Sequence, residues 1–173
     1  MKTTSLTVLG FASLLCLTLV AQEAAKATSG VIKRSGEPDC FEVTDNNKEM
    51  AQAVQKARKT LPKFLVALRS PKSTQSRFAV KKPFIEGEKV EHIWVNNLSF
   101  DDRVFHGKVD NEPVDLKNVH LGDEVTVSPE DISDWMFVQD GKLVGGYTVR
   151  CACHHMSPAQ KKRFEANANC RID

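Results

Sequence analysis

The chain has 173 residues, with 24 Lys or Arg against 22 Asp or Glu, and a formal net charge of +2. So even a balance offers no basic stripe to neutralise phosphates, and nothing marks the chain as a nucleic-acid binder. Its length allows one domain with a real core, and after the first twenty residues no second long apolar segment occurs.

Residues 1–27 read as a secretory signal peptide. Lys2 supplies the positive start, Leu6 to Val20 an apolar run, and Ala21, Ala24, Ala25 and Ala27 small residues for cleavage. Ala25-Lys26-Ala27 fits the A-x-A pattern, and cleavage after Ala21 is the alternative. The run is about 15 residues, short of the roughly 20 that span a bilayer. Cys16 would anchor a lipoprotein, but Leu15 sits where a small residue is wanted. With the signal removed, the remaining chain is expected to be soluble and to carry no membrane span.

Residues 28–44 read as a flexible leader, with Ser29-Gly30, Ser35-Gly36 and Pro38 around them as breakers. Thr44 or Asp45 then caps a helix. Met50, Ala53, Val54, Ala57, Leu61, Phe64, Leu65 and Leu68 keep helical spacing. Pro62 lacks an N–H and disfavours helix at Leu61, which predicts one helix to about Thr60 and a shorter one to Leu68. Strands are predicted over 77–84, 90–98, 103–109, 124–128, 135–139 and 143–150. Asp140-Gly141 joins the last two as a hairpin. Ser157-Pro158 opens a final helix to about Ala168. Short strands without intervening helices predict an α+β fold, in which the N-terminal helix packs on a curved antiparallel sheet of five to six strands, with a short C-terminal helix.

Cys40, Cys151, Cys153 and Cys170 remain after the signal peptide, an even number suited to an oxidising compartment. Cys151 and Cys153 are too close to pair with each other, so each is expected to bridge to one of Cys40 and Cys170. Which goes to which stays open.

A run of local motifs carries a resemblance. Leu61-Pro62-Lys63-Phe64 ends the helix, and Phe78-Ala79-Val80-Lys81 and Glu91-His92-Ile93-Trp94-Val95 follow. Asn111-Glu112-Pro113, Leu121-Gly122-Asp123, Ile132-Ser133-Asp134-Trp135-Met136 and Gly145-Gly146-Tyr147-Thr148 complete the set. From about residue 49 to 150 the chain resembles the YegJ-type family of bacterial domains of unknown function. The resemblance implies a fold and no established activity. It divides the chain into the signal peptide at 1–27, the leader at 28–44, a YegJ-like domain at 45–150 and a Cys-rich tail at 151–173.

Several residues carry chemistry. In a strand, His92 and Trp94 point the same way, and they could line a ligand groove with Asp134 and Trp135. His92 and Asp134 would make an acid/base pair if they meet. Structural roles compete: Trp94 as core, His92 in a buried hydrogen bond, Asp134 as a cap accepting backbone N–H groups. Asn111-Glu112-Pro113 reads as a turn with a loop carboxylate, and Lys81 with Arg150 as a pair that could bind an anion. Cys151-x-Cys153-His154-His155 has metal donors. In a strand, however, both sulfurs would face one way and His154 the other, and disulfides compete for the sulfurs. No nucleophile elbow, phosphate-cradling loop, H-E-x-x-H or dinucleotide fingerprint occurs.

The sequence therefore favours an exported, non-catalytic binding or interaction module of the periplasm or cell envelope. It would contact an envelope protein or ligand near His92, Trp94, Asp134 and Trp135, without cofactor or metal. The alternatives are a small hydrolase-like enzyme using His92 and Asp134, and a metal-handling protein using Cys151, Cys153, His154 and His155.

Overall fold

The computed structural model describes residues 48–173, with the backbone of a short antiparallel pair, β1 (Val31–Ile32) and β2 (Cys40–Phe41). The expected signal peptide with its cleavage point, most of the expected leader, the expected caps Thr44 and Asp45, and the Cys40 side chain lie outside the described residues.

Helix α1 (Lys48–Arg69) turns Ala53, Ala57, Leu61 and Phe64 inward at intervals of three and four. The break expected after Thr60 does not occur: the helix runs through Pro62. Proline there removes the N–H that would reach the Arg58 carbonyl, a cost of about 3 kcal/mol. Leu61 and Phe64 lie on either side of it, and each gains about 1.5–3 kcal/mol from burial in one core, which outweighs the loss. The turn before the proline is also held from outside. The Trp135 indole donates to the Ala57 carbonyl at 2.8 Å, and Arg58 Nε reaches the Ile132 carbonyl at 2.8 Å.

Six strands follow: β3 (Gln75–Glu86), β4 (Lys89–Phe100), β5 (Phe105–Val109), β6 (Glu124–Val127), β7 (Asp134–Gln139) and β8 (Lys142–Gly145). They form one antiparallel sheet in the order β6-β5-β4-β3-β7-β8. The fold is α+β, with a helix before the sheet and short helices after it. The chain meanders from β3 to β6, then crosses to lay β7 against the other side of β3. Strand β5 begins at Phe105 rather than near Arg103, because the Asp101 carboxylate accepts the Arg103 and Val104 N–H groups in a local turn. Those bonds, with the nearby His106, hold the Asp101 carboxyl down to about 2. Asp140 and Gly141, both at positive φ, make the β7–β8 hairpin as expected.

The last strand is shorter than predicted. β8 ends at Gly145, and residues 147–154 form helix α2 (Tyr147–His154). Gly145 and Gly146 have φ of +75° and +59°, which turns the chain out of the sheet. A Cβ on Gly145 would lie 2.3 Å from the Trp135 carbonyl oxygen, so only glycine fits. Helix α3 (Pro158–Ala168) starts as predicted, with Ser157 and Gln160 forming a capping box. Beyond it, Arg171 pairs with the outer edge of β8: Leu143 N–H donates to the Arg171 carbonyl and Arg171 N–H to that of Gly141, both at 2.9 Å.

The main core lies between α1 and the sheet. Phe64 is fully buried there, with Phe78, Phe105, Trp135 and Phe137 around it at centroid distances of 5.4–6.5 Å. A second, smaller cluster joins Leu143, Cys153 and Ile172, with Met136, Phe164 and Cys170 packed against it.

The segment between β5 and β6 is organised by one side chain of β4. The Glu91 carboxylate accepts the N–H groups of Val114 at 2.8 Å, Asp115, and Leu116 at 3.0 Å. This seats Leu116 and Val119 in the core. Glu91→Ala removes three hydrogen bonds to one charged acceptor, two of them exposed, and should cost about 1–2 kcal/mol. Amide hydrogen exchange should quicken first at residues 114–116; unchanged protection there would refute the role.

Candidate functional site

Strand alternation divides β4 cleanly. Ile93 and Val95 are buried against the core, while His92 is exposed and Trp94 half-buried on the opposite, outer face. The β3–β4 register places Lys81 beside Trp94, Pro83 beside His92 and Ile85 beside Val90. Lys81 Nζ stands 5.4 Å from the centre of the Trp94 ring, in cation–π contact. His92 Nδ1 is 2.9 Å from Ser133 Oγ, whose hydroxyl also lies 3.1 Å from the Lys81 carbonyl. Ile85 and Val90, neighbours across the ribbon, are 64% and 46% exposed. The outer face thus carries an aromatic ring, a cation, an imidazole and two bare aliphatic side chains.

Asp134 and Trp135 are placed elsewhere. Both are fully buried. Trp135 belongs to the aromatic core on the α1 side. Asp134 caps α2. Its Oδ1 accepts the N–H groups of Trp135 at 2.8 Å and Tyr147 at 3.1 Å, and its Oδ2 the Thr148 N–H at 2.8 Å and hydroxyl at 2.6 Å. Burial pushes this carboxyl above the ordinary range, against the pull of the Thr148 bonds. Of the four residues expected at one groove, then, His92 and Trp94 share the outer face, Asp134 is fully buried beside Lys81 and turned to α2, and Trp135 belongs to the aromatic core.

Lys81 and Arg150 do not converge on an anion. Arg150 lies on α2 rather than on a strand, and its guanidinium donates to the carbonyls of Gly145, Leu143 and Asp173. Asn111 and Glu112 are likewise turned to the backbone, accepting the Trp94 and Leu121 N–H groups at 3.3 and 3.0 Å. Elsewhere, Ser99 and His106 are cross-strand partners and His106 Nε2 is 3.2 Å from Asp101. Among the described residues no hydrogen bond joins Ser99 to that imidazole.

The Cys151-x-Cys153 segment also differs from the strand expected for it. Cys151-x-Cys153 sits in a helix, where two residues turn about 200°, so the sulfurs face opposite ways. Cys153 is buried in the smaller core, and Cys151 is half-buried. Burial pushes both thiols up, away from the reactive thiolate. Among the described residues Cys151, Cys153 and Cys170 are free thiols.

The family profile described as an uncharacterized protein conserved in bacteria, DUF2314, matches residues 47–170. The chain belongs to the DUF2314 family. The DUF2314 match takes in everything from α1 to the end of α3, including Cys151, Cys153 and Cys170. The chain is 35% identical over 104 residues to the uncharacterized protein YegJ of Escherichia coli K12, covering 60% of this chain and 67% of that one. It is 33% identical over 139 residues to a putative ankyrin repeat protein of Neisseria meningitidis serogroup B, covering 76% of this chain. It spans 55% of the length of that Neisseria protein. No solved structure matches it.

Sequence reasoning missed three members of the outer face and its surroundings. Ile85 and Val90 look like ordinary strand positions, and only their cross-strand pairing shows a bare patch. The Ser133 contact to His92 spans 41 residues and leaves no local signal. Lys81 does not meet Arg150 at an anion site: it stands between the Trp94 ring on β4 and Asp134, its cross-strand partner on β7.

Proposed function

We propose that this DUF2314 protein is an exported, non-catalytic binding module that docks a partner of the periplasm or cell envelope on the outer face of β3 and β4. The observation that carries the reading is the adjacent pair Ile85 and Val90, exposed on the same ribbon as Trp94 and His92. Two aliphatic groups and an indole supply apolar contact area, and Lys81 and His92 supply polar direction, the mix typical of an interface centre with a polar rim. Export rests on the Lys2 to Ala27 pattern.

The test places a photo-crosslinking amino acid at Ile85 in cells that make the protein. A specific adduct is expected, reduced at least about tenfold by Trp94→Ala, in keeping with loss of an aromatic anchor. An adduct pattern unchanged by Trp94→Ala, and equal to that from a probe at Glu130, would overturn the docking face. N-terminal sequencing of the mature protein tests export: it should begin at residue 22 or 28, and retention of Lys2 would sink that part.

A further inference from the structure

The N-terminal turn of α1 and the C-terminal end of α2 meet at a point unrelated to the β3–β4 face. Glu49, Cys151 and His155 each direct a donor atom there, and those three atoms lie within 4.8 Å of one another. His155 Nε2 and Glu49 Oε2 are 2.7 Å apart, although 106 residues separate them in the chain. Cys151 is half-buried, while the other two are about half exposed.

We propose that Glu49, Cys151 and His155 form a zinc-class metal site joining α1 to α2. A thiolate, an imidazole and a carboxylate are the three donor types zinc takes, and the sulfur selects against magnesium and calcium. In a tetrahedral site the nitrogen and oxygen ligands stand about 3.3 Å apart. The His155–Glu49 contact has only to open slightly for an ion to take the place of the proton between them, which leaves to solvent while His155 binds through Nε2 as the neutral Nδ1–H imidazole. The Cys151 thiol gives up its proton to solvent as the metal–sulfur bond forms. The carbonyl end of α2 lies at the same place and favours positive charge. The fourth position is left to water or to His154, whose ring is 5.8 Å from that of His155. Cys153 is not a ligand, because the helix turns it into the smaller core. The donor set therefore differs from the local Cys-x-Cys-His-His run: it trades Cys153 for a residue about 100 positions earlier.

The test titrates the reduced mature protein with cobalt(II) and then zinc(II) alone. One equivalent should bind, with a thiolate-to-cobalt charge-transfer band, and zinc should raise the melting temperature. Cys151→Ser should abolish the band. Glu49→Gln and His155→Ala should each weaken zinc at least about tenfold, a loss already seen for outer-shell partners of metal ligands. Cys153→Ser and Cys170→Ser should leave band and affinity unchanged. Glu49 is exposed, so Glu49→Gln should keep the wild-type circular dichroism spectrum and test the site without a folding defect. A band that survives Cys151→Ser, disappears in a folded Cys153→Ser, or is indifferent to Glu49→Gln would overturn the proposal. So would a reduced protein that does not saturate with either metal.

Discussion

Trp135→Ala lowers the unfolding free energy by about 3–5 kcal/mol, the range for removing a buried aromatic ring. Three losses combine. The indole packs against Phe64 at 5.4 Å, Phe137 at 6.2 Å and Tyr147 at 5.7 Å, so its removal opens a cavity at the centre of the aromatic cluster. Its N–H no longer reaches the Ala57 carbonyl, in the helical turn just before Pro62. Gly145, whose Cα sits against this ring, loses the wall that shapes the exit from β8. Domains of this size are stable by only about 5–15 kcal/mol, so the variant should approach the limit of folding at body temperature. Urea denaturation read by tryptophan-independent far-ultraviolet circular dichroism measures it. Trp135→Phe keeps most of the volume and should cost clearly less. Equal losses for the two variants would show that packing is not what Trp135 supplies.

Asp134→Ala is the second large effect, about 3 kcal/mol or more. The carboxylate is the shared acceptor for the N–H groups of Trp135, Tyr147 and Thr148 and for the Thr148 hydroxyl; the Trp135 and Thr148 bonds are buried and the Tyr147 bond partly so. The α2 N-cap position is Gly146, which has no side chain to offer, so Asp134 caps the helix from a neighbouring strand. Asp134→Asn keeps one carbonyl oxygen but sets an amide N–H₂ against donors, and should fall between wild type and Ala. A double-mutant cycle with Thr148→Val should show coupling of about 0.5–3 kcal/mol, as expected for direct partners. Additivity within error would mean that the Thr148 hydroxyl bond contributes nothing to the cap. The local readout is loss of amide protection at residues 147–150 ahead of the sheet.

These two residues also mark where sequence is a sufficient guide and where it is not. Helix α1 is legible because Ala53, Ala57, Leu61 and Phe64 write its buried stripe directly, and the Asp140-Gly141 turn and the Ser157 capping box are local signals. Pro62 misleads, since its local penalty is visible while the burial of Leu61 and Phe64 that offsets it is a tertiary fact. Helix α2 misleads more. Its text, Tyr147-Thr148-Val149-Arg150, is rich in strand formers, and its cap lies on β7, 13 residues upstream. The same distance hides the candidate sites. His92 and Trp94 share a face by simple alternation, which sequence shows. That Asp134 turns to α2, that Ile85 and Val90 are bare, and that Glu49 meets His155 follow only from how separate elements pack.

The strand-like stretch at Arg171 has a consequence for assembly. By bridging to Lys142 it takes up the Gly141 carbonyl and the Leu143 N–H, and Arg150 takes the Leu143 and Gly145 carbonyls, so among the described residues the outer rail of β8 is largely occupied. Any partner that adds a strand to the sheet must do so at the far edge, on the four residues of β6, where Glu124 stands exposed as a charged guard. Trimming the chain before Arg171 would bare the other rail together with Leu143. It would turn a six-stranded sheet that presents one short edge among the described residues into one with two, and give the protein a route to end-to-end self-association through that sheet.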